Sequence, residues 1–124
     1  HYLNVHEGPH SISFRAGPDD VDLRSGMTVT DEPGYYEDGR FGIRIENVLV
    51  VVEKRTEFGF VKCLGFETIT LVPIQASLID HSMLTTSEVE WINAYHQECW
   101  DKVSGLLEGR AKEFLFESTR PLAL

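Results

Sequence analysis

Cysteine, basic charge and long apolar runs are all scarce in this sequence. Its 124 residues include only two cysteines, Cys63 and Cys99, with neither the CxxC spacing of zinc sites nor the cysteine density of small secreted domains. We therefore expect a cytoplasmic protein. No apolar run approaches the roughly 18 residues that a membrane span needs, and the first residues do not resemble a signal peptide. A formal charge of -9 without any basic cluster argues against nucleic-acid or membrane partners.

The residue pattern divides the chain into a strand-rich half and a helical half, so the predicted fold class is α+β. Gly, Pro and β-branched residues predict strands at 27–30, 41–52 and 68–74. Thr85 followed by Glu88 is a capping-box pattern, and the helical spacing continues through Val89, Ile92, His96, Cys99, Val103 and Leu106. A second helix is predicted at 110–117. The chain begins abruptly and without Met, so we expect a piece of a longer protein.

Two glutamates occupy unexpected places in the strand-rich half. If residues 37–40 form a turn, the flanking strands pair so that Glu32 lies opposite Glu46. Even-numbered residues then share one face. That face carries Thr30, Glu32, Gly34, Tyr36, Gly42, Arg44, Glu46 and Val48.

Two interpretations of these glutamates remain open at this point. Arg44 and Glu46 can form the solvent side of a half-exposed strand, with Ile43 and Ile45 inside. The apolar run 48–52, however, predicts a strand buried on both faces, where facing carboxylates need compensation by cations. Arg44 can offset one charge, whereas a pair of divalent metal ions can offset both.

Three ordered motifs resemble those of the pita-bread metallopeptidases: LNVHEGP at 3–9, TDEPGYYEDG at 30–39 and GIRIENV at 42–48. They are most similar to the aminopeptidases that remove a residue preceding proline. The segments LVPIQASLID and EVEWINAYH resemble the extension of the cytosolic, three-domain branch. The resemblance implies that residues 1–62 are the C-terminal portion of the pita-bread catalytic domain and that 63–124 form a mainly helical C-terminal extension.

The resemblance also implies roles for individual residues. In that family two metal ions, usually manganese, are held by two aspartates, one histidine and two glutamates, and the glutamates match Glu32 and Glu46. The other three ligands belong to segments upstream, so we expect this chain alone to be inactive. His6 matches a histidine that contacts the substrate, Glu32 is a candidate proton acceptor, and Arg44 and Tyr36 match a network that orients the metal-bound carboxylates.

Further expectations concern the remaining histidines and the partners of the intact protein. His10 matches no functional residue and is expected at the surface, whereas His96 is expected to be a packed core histidine. Proline-containing peptides are the implied substrates, and the extension is implied in homodimer formation. The alternatives are a metal-free peptide- or protein-binding module, or a structural dimerisation fragment. Another peptidase of this fold, such as a proline dipeptidase or a methionine aminopeptidase, is disfavoured by the LVPIQ segment and the extension that follows it.

Overall fold

Strands precede helices in the computed structural model, which describes residues 6–13, 21–56 and 63–123. This order confirms the predicted α+β class. The elements are β1 (Thr28–Asp31), β2 (Gly34–Glu37), β3 (Phe41–Arg44), β4 (Asn47–Lys54), β5 (Cys63–Thr68), α1 (Thr86–Val103) and α2 (Gly109–Ser118), with short 3-10 turns at Ala76–Leu78, His81–Met83 and Ser104–Leu106.

An antiparallel sheet with the strand order β1-β4-β5 belongs to a compact unit that draws on His1–Glu32 and Glu46–Ile69. Its central strand β4 is rich in valine, which favours the pleated conformation, and Val51 is fully buried. The strand predicted at 68–74 is wrong. The β4–β5 ladder ends at the Leu49–Thr68 pair, and the chain continues without regular structure towards Pro73, which has no N–H for a ladder.

A second unit comprises Pro33–Ile45 and Thr70–Leu124. Its β2–β3 hairpin pairs Gly34 with Arg44 and Glu37 with Phe41, as the predicted turn requires. Gly39 closes the turn with a φ of 70°, in the left-handed region that glycine adopts without strain. The predicted run 41–52 is therefore two strands, because it is interrupted at Ile45 and Glu46.

Helix α1 begins at the predicted capping box. The Thr85 side chain accepts a hydrogen bond from the Glu88 N–H, and the Glu88 carboxylate accepts one from the Thr85 N–H. The buried face of α1 carries Val89, Ile92, Tyr95, His96 and Cys99. Leu106 was expected on this face, but α1 ends at Val103 and the Leu106 side chain is 82% exposed.

Polar side chains of α1 hold two non-helical segments against the helix. The Asn93 side-chain amide donates to the Leu122 carbonyl at 3.2 Å and accepts from the Leu122 N–H at 2.7 Å. The Tyr95 hydroxyl reaches the carbonyls of Thr70 and Val72. Burial raises the pKa of Tyr95 to about 12, so this hydroxyl keeps its proton at neutral pH.

His96 is fully buried, which confirms the expected core histidine. Its Nε2 accepts a hydrogen bond from the Ile74 N–H at 3.1 Å, so the neutral ring carries its proton on Nδ1. Burial lowers the pKa of His96, while nearby backbone groups of Arg120 and Ile74 oppose the shift.

The predicted second helix is confirmed as α2, which buries Leu115.

In the part of the chain that the structure describes, no helix combines the length and the apolar character that crossing a bilayer requires.

Candidate functional site

A cleft of about 720 Å³ lies in the first unit, between the segment 6–13 and strand β1. Strand β4 contributes one residue, Val48, to its wall. Residues of two sequence motifs line this cleft together: His6, Glu7 and Gly8 of the first, and Thr30 and Glu32 of the second. The full lining is His6, Glu7, Gly8, His10, Ser11, Ile12, Ser13, Thr28, Val29, Thr30, Glu32 and Val48.

His6 and Glu32 face each other in this cleft. The His6 Nε2 lies 3.9 Å from the Glu32 Oε1, which is too long for a hydrogen bond but within ion-pair reach when the imidazole is protonated. The Thr30 hydroxyl donates to the same Glu32 oxygen at 2.8 Å. The His6 side chain is 91% exposed and the Glu32 side chain only 25%. The carboxylate is therefore held against the wall, and the imidazole is open to an incoming molecule.

His10 is half-buried and lines the same cleft, a place that the sequence did not indicate. Its Nε2 lies 2.8 Å from the Thr28 carbonyl, and because a carbonyl can only accept, Nε2 carries the proton. The Met27 carbonyl, one residue earlier, points towards β4 and accepts a hydrogen bond from the Val51 N–H. Successive carbonyls of a strand point in opposite directions, so the Thr28 carbonyl points away from β4 and is open to His10.

Glu46 lies just before β4 rather than within it. The β1–β4 ladder ends at the Asp31–Asn47 pair, and the next position in the same register places Glu46 opposite Glu32. The pairing predicted for the two glutamates is therefore consistent with the observed register. Pro33 cannot donate a ladder hydrogen bond, which explains why both strands are interrupted at this point.

The sequence predicted that the strand carrying the apolar run 48–52 is buried on both faces, and the structure shows this only in part. Residues 47–50 of β4 are half-buried and Val51 is fully buried, whereas Glu46 is exposed. The burial argument for cation compensation therefore does not apply to Glu46 in this chain. It applies better to Glu32, whose carboxylate is mostly covered.

Tyr36 and Arg44 belong to the hairpin of the second unit. Arg44 pairs with Gly34, and Tyr36 pairs with Gly42 on the same face. The two side chains therefore occupy neighbouring positions along one face of the hairpin, as their even numbering predicts.

Within 6–13, 21–56 and 63–123, no group of three or more His, Cys, Asp or Glu residues is arranged to hold a metal ion. The two glutamates are nevertheless suitable as part of a larger donor set. Carboxylate oxygens are ligands that Mn²⁺ and Mg²⁺ prefer, and facing positions on paired strands are close enough for both carboxylates to reach a common ion.

Two contributors to the cleft, Thr30 and His10, were not identified from the sequence as functional. Thr30 could have been identified as a contact of Glu32, because it lies two residues earlier and therefore on the same face of the strand. His10 had no such signal, since its partner Thr28 is 18 residues away in the chain.

Two family models match this chain. One is described as metallopeptidase family M24 and matches residues 2–53, and the other is the C-terminal region of peptidase M24 and matches residues 62–122.

Curated relatives agree with these matches. The chain is 52% identical over 126 residues to a probable Xaa-Pro aminopeptidase P of Coprinopsis cinerea, covering 98% of this chain and 20% of the relative. It is 55% identical over 124 residues to aminopeptidase P2 of Arabidopsis thaliana, covering 98% of this chain and 17% of the relative. The chain thus spans about a fifth of the length of the relatives it matches.

A solved structure is similar as well. The crystal structure of X-prolyl aminopeptidase from Caenorhabditis elegans, described as a cytosolic enzyme with a di-nuclear active site, matches with a TM-score of 0.79 and 39% identity. The match covers 98% of this chain and 20% of that one. The mixed strand and helix architecture is therefore that of a pita-bread domain with its helical continuation, and the chain belongs to the metallopeptidase family M24.

Proposed function

We propose that this chain is part of a metal-dependent aminopeptidase that hydrolyses the bond between an N-terminal residue and a following proline. The observation that carries the proposal is the arrangement in the cleft, where an exposed His6 faces a Glu32 carboxylate anchored by Thr30. The relatives named Xaa-Pro aminopeptidases support the substrate class.

Glu32 and Glu46 are the residues that would hold two divalent metal ions, which we propose are Mn²⁺. When bound, such ions lower the pKa of a coordinated water to near neutrality and so supply a nucleophile. As the family resemblance implies, the remaining ligands would come from parts of the protein outside this chain.

Glu32 would have a second role as the acceptor of the proton that the nucleophilic water releases. The hydrogen bond from the Thr30 hydroxyl holds its carboxylate in one orientation. A fixed carboxylate avoids reorganisation during proton transfer.

His6 would bind the substrate carbonyl. Its exposed imidazole can donate a hydrogen bond to the oxygen that becomes negative as the carbonyl is attacked. A donor already in position for that oxygen stabilises the transition state by a few kcal/mol, which corresponds to a rate increase of about 100- to 1000-fold.

Arg44 and Tyr36 would orient the metal-binding carboxylates. Both carry hydrogen-bond donors on one face of the hairpin. Groups of this kind behind metal ligands commonly change metal affinity or activity by about 10–100-fold.

The intact enzyme would be a cytosolic homodimer. The proposed location follows from the cytosolic relative in Caenorhabditis elegans and the scarcity of cysteine. The proposed dimer surface lies in the helical segment, which we define as Thr70–Leu124 of the second unit. In this segment the apolar side chains of Trp91, Phe114 and Phe116 are half or more exposed. Light scattering on the purified intact enzyme should give the mass of two subunits, and a monomer would contradict this part of the proposal.

The decisive test is cleavage of an Xaa-Pro-Xaa tripeptide by the intact parent enzyme supplied with Mn²⁺. We expect release of the first residue, its loss on chelation, and a large fall in kcat for His6→Gln. The matched control is His81→Gln, an exposed histidine in the helical segment, which should leave the rate unchanged. The 124-residue chain alone should release nothing. No cleavage and no retained metal in the intact enzyme would favour a peptide-binding module instead.

A further inference from the structure

The ring of Tyr36 lies directly over two glycines of the β2–β3 hairpin. A Cβ placed on Gly42 would be 2.6 Å from the Tyr36 Cδ1, and a Cβ placed on Gly34 would be 2.7 Å from the Tyr36 hydroxyl oxygen. Real side chains do not approach so closely. Both positions must therefore lack a side chain for the ring to occupy this place.

The hairpin register explains how one ring covers both glycines. Gly42 is directly opposite Tyr36, and Gly34 lies two residues before it on the same face. The ring thus runs along the strand, with its base over Gly42 and its hydroxyl over Gly34. Because Gly34 pairs with Arg44, the hydroxyl lies over the residue that is directly opposite Arg44 in the hairpin.

Backbone conformation does not account for these glycines. Among the described residues the positive-φ glycines are Gly26, Gly39 and Gly109, so neither Gly34 nor Gly42 has this conformation. Glycine weakens a strand interior and typically marks a close approach of another group. In this hairpin the approaching group is the Tyr36 ring, which is half exposed.

We propose that Gly34 and Gly42 are positioning residues that seat the Tyr36 ring on the hairpin and so fix its hydroxyl over Gly34, at the Gly34–Arg44 pair, for the orienting role that the proposed function gives to Tyr36. This inference rests on the proposed aminopeptidase function for its catalytic consequence. The packing itself, a ring seated on two glycines, is independent of that function.

The test is a double-mutant cycle in the intact enzyme. Gly42→Ala and Gly34→Ala are each made with Tyr36, with Tyr36→Phe and with Tyr36→Ala. With Tyr36 present, each alanine should lower kcat and Mn²⁺ affinity by about 10–100-fold while changing KM little, because the proposed function gives the displaced hydroxyl a role in orienting ligands and none in binding the substrate. Each should also lower the midpoint of thermal unfolding by roughly 2–8 °C through overpacking.

The two tyrosine variants separate the hydroxyl from the ring. In the Tyr36→Phe background the alanines should have less than about a twofold further effect on kcat, since the hydroxyl is already gone, yet they should still lower the unfolding midpoint. In the Tyr36→Ala background both effects should vanish. Gly105→Ala is the control for glycine replacement in open space, because a Cβ there meets nothing within 4 Å.

Equal effects of the alanines in all three backgrounds, in either measurement, would overturn the inference, since the glycines would then act independently of Tyr36. If the intact enzyme does not cleave Xaa-Pro peptides, the unfolding measurements still decide whether the glycines seat the ring. Failure of the proposed function and failure of this inference are therefore distinguishable.

Discussion

The sheet that carries the cleft and the helical segment differ in how they bury their residues. The sheet belongs to the first unit, which we call the sheet unit, and among its described residues Val51 is the one buried apolar side chain. The helical segment instead builds a core from Val89, Ile92 and Leu122, against which Ala76, Ile79 and Leu84 pack.

Polar groups differ in the same way. The helical segment uses Asn93, Tyr95 and His96 to satisfy backbone groups of segments that lack regular structure. The sheet unit leaves His6 almost fully exposed and anchors Glu32 with the Thr30 hydroxyl. A binding site needs polar atoms that a substrate can reach, whereas a core needs polar atoms that are hydrogen-bonded within the protein. Substitutions should therefore change activity in the sheet unit and change the free energy of unfolding in the helical segment.

The largest expected effect is on the chemistry of the sheet unit. Glu46→Gln in the intact enzyme should remove tight metal binding and lower activity by more than about 100-fold, because groups merely behind a ligand already account for 10–100-fold. Metal content and tripeptide cleavage measure the two effects. Glu53→Gln is the matched control, since Glu53 is an exposed glutamate on β4. Retained metal and activity would leave Glu46 with a structural role only.

Local patterns in the sequence predicted the parts of the fold that depend on near neighbours. The turn at 37–40 sets the hairpin register, and the observed pairs follow it. The capping box at Thr85 and Glu88 marks the observed start of α1. Both signals span a few residues, so a single sequence contains all the information they need.

Contacts between distant residues could not be predicted in this way. The bond from His10 spans 18 residues and the bonds from Asn93 span 29. Helical spacing alone also extended the buried face to Leu106, although the chain leaves α1 after Val103. For Glu46, the valine run that follows it suggested burial, but the strand begins one residue later and leaves the carboxylate exposed.

A smaller effect should follow from the loss of a polar anchor in the helical segment. Asn93→Ala leaves the N–H and the carbonyl of Leu122 without their side-chain partner, which should lower local stability by about 2 kcal/mol. Hydrogen exchange in α1 of the intact enzyme should then become roughly 30-fold faster. Gln97→Ala removes an exposed bond to Asp101 on the same helix and should change stability by no more than about 0.5 kcal/mol. Equal exchange in the two variants would mean that Asn93 does not anchor the tail, while tripeptide cleavage should survive both changes.

The smallest expected effect is a pH dependence confined to the helical segment. Burial holds the pKa of His96 below its ordinary value of 6.5, so between the two values the unfolded chain binds more protons than the folded one. Stability should be complete above about pH 6.5 and fall as the pH drops towards the folded pKa, by at most about 1.4 kcal/mol per pH unit. Protonation also removes the lone pair that accepts the Ile74 N–H. His96→Gln keeps an acceptor that does not titrate, so hydrogen exchange in α1 should lose this acid sensitivity, whereas His81→Gln should retain it. An unchanged acid response in His96→Gln would show that another group controls the pH dependence.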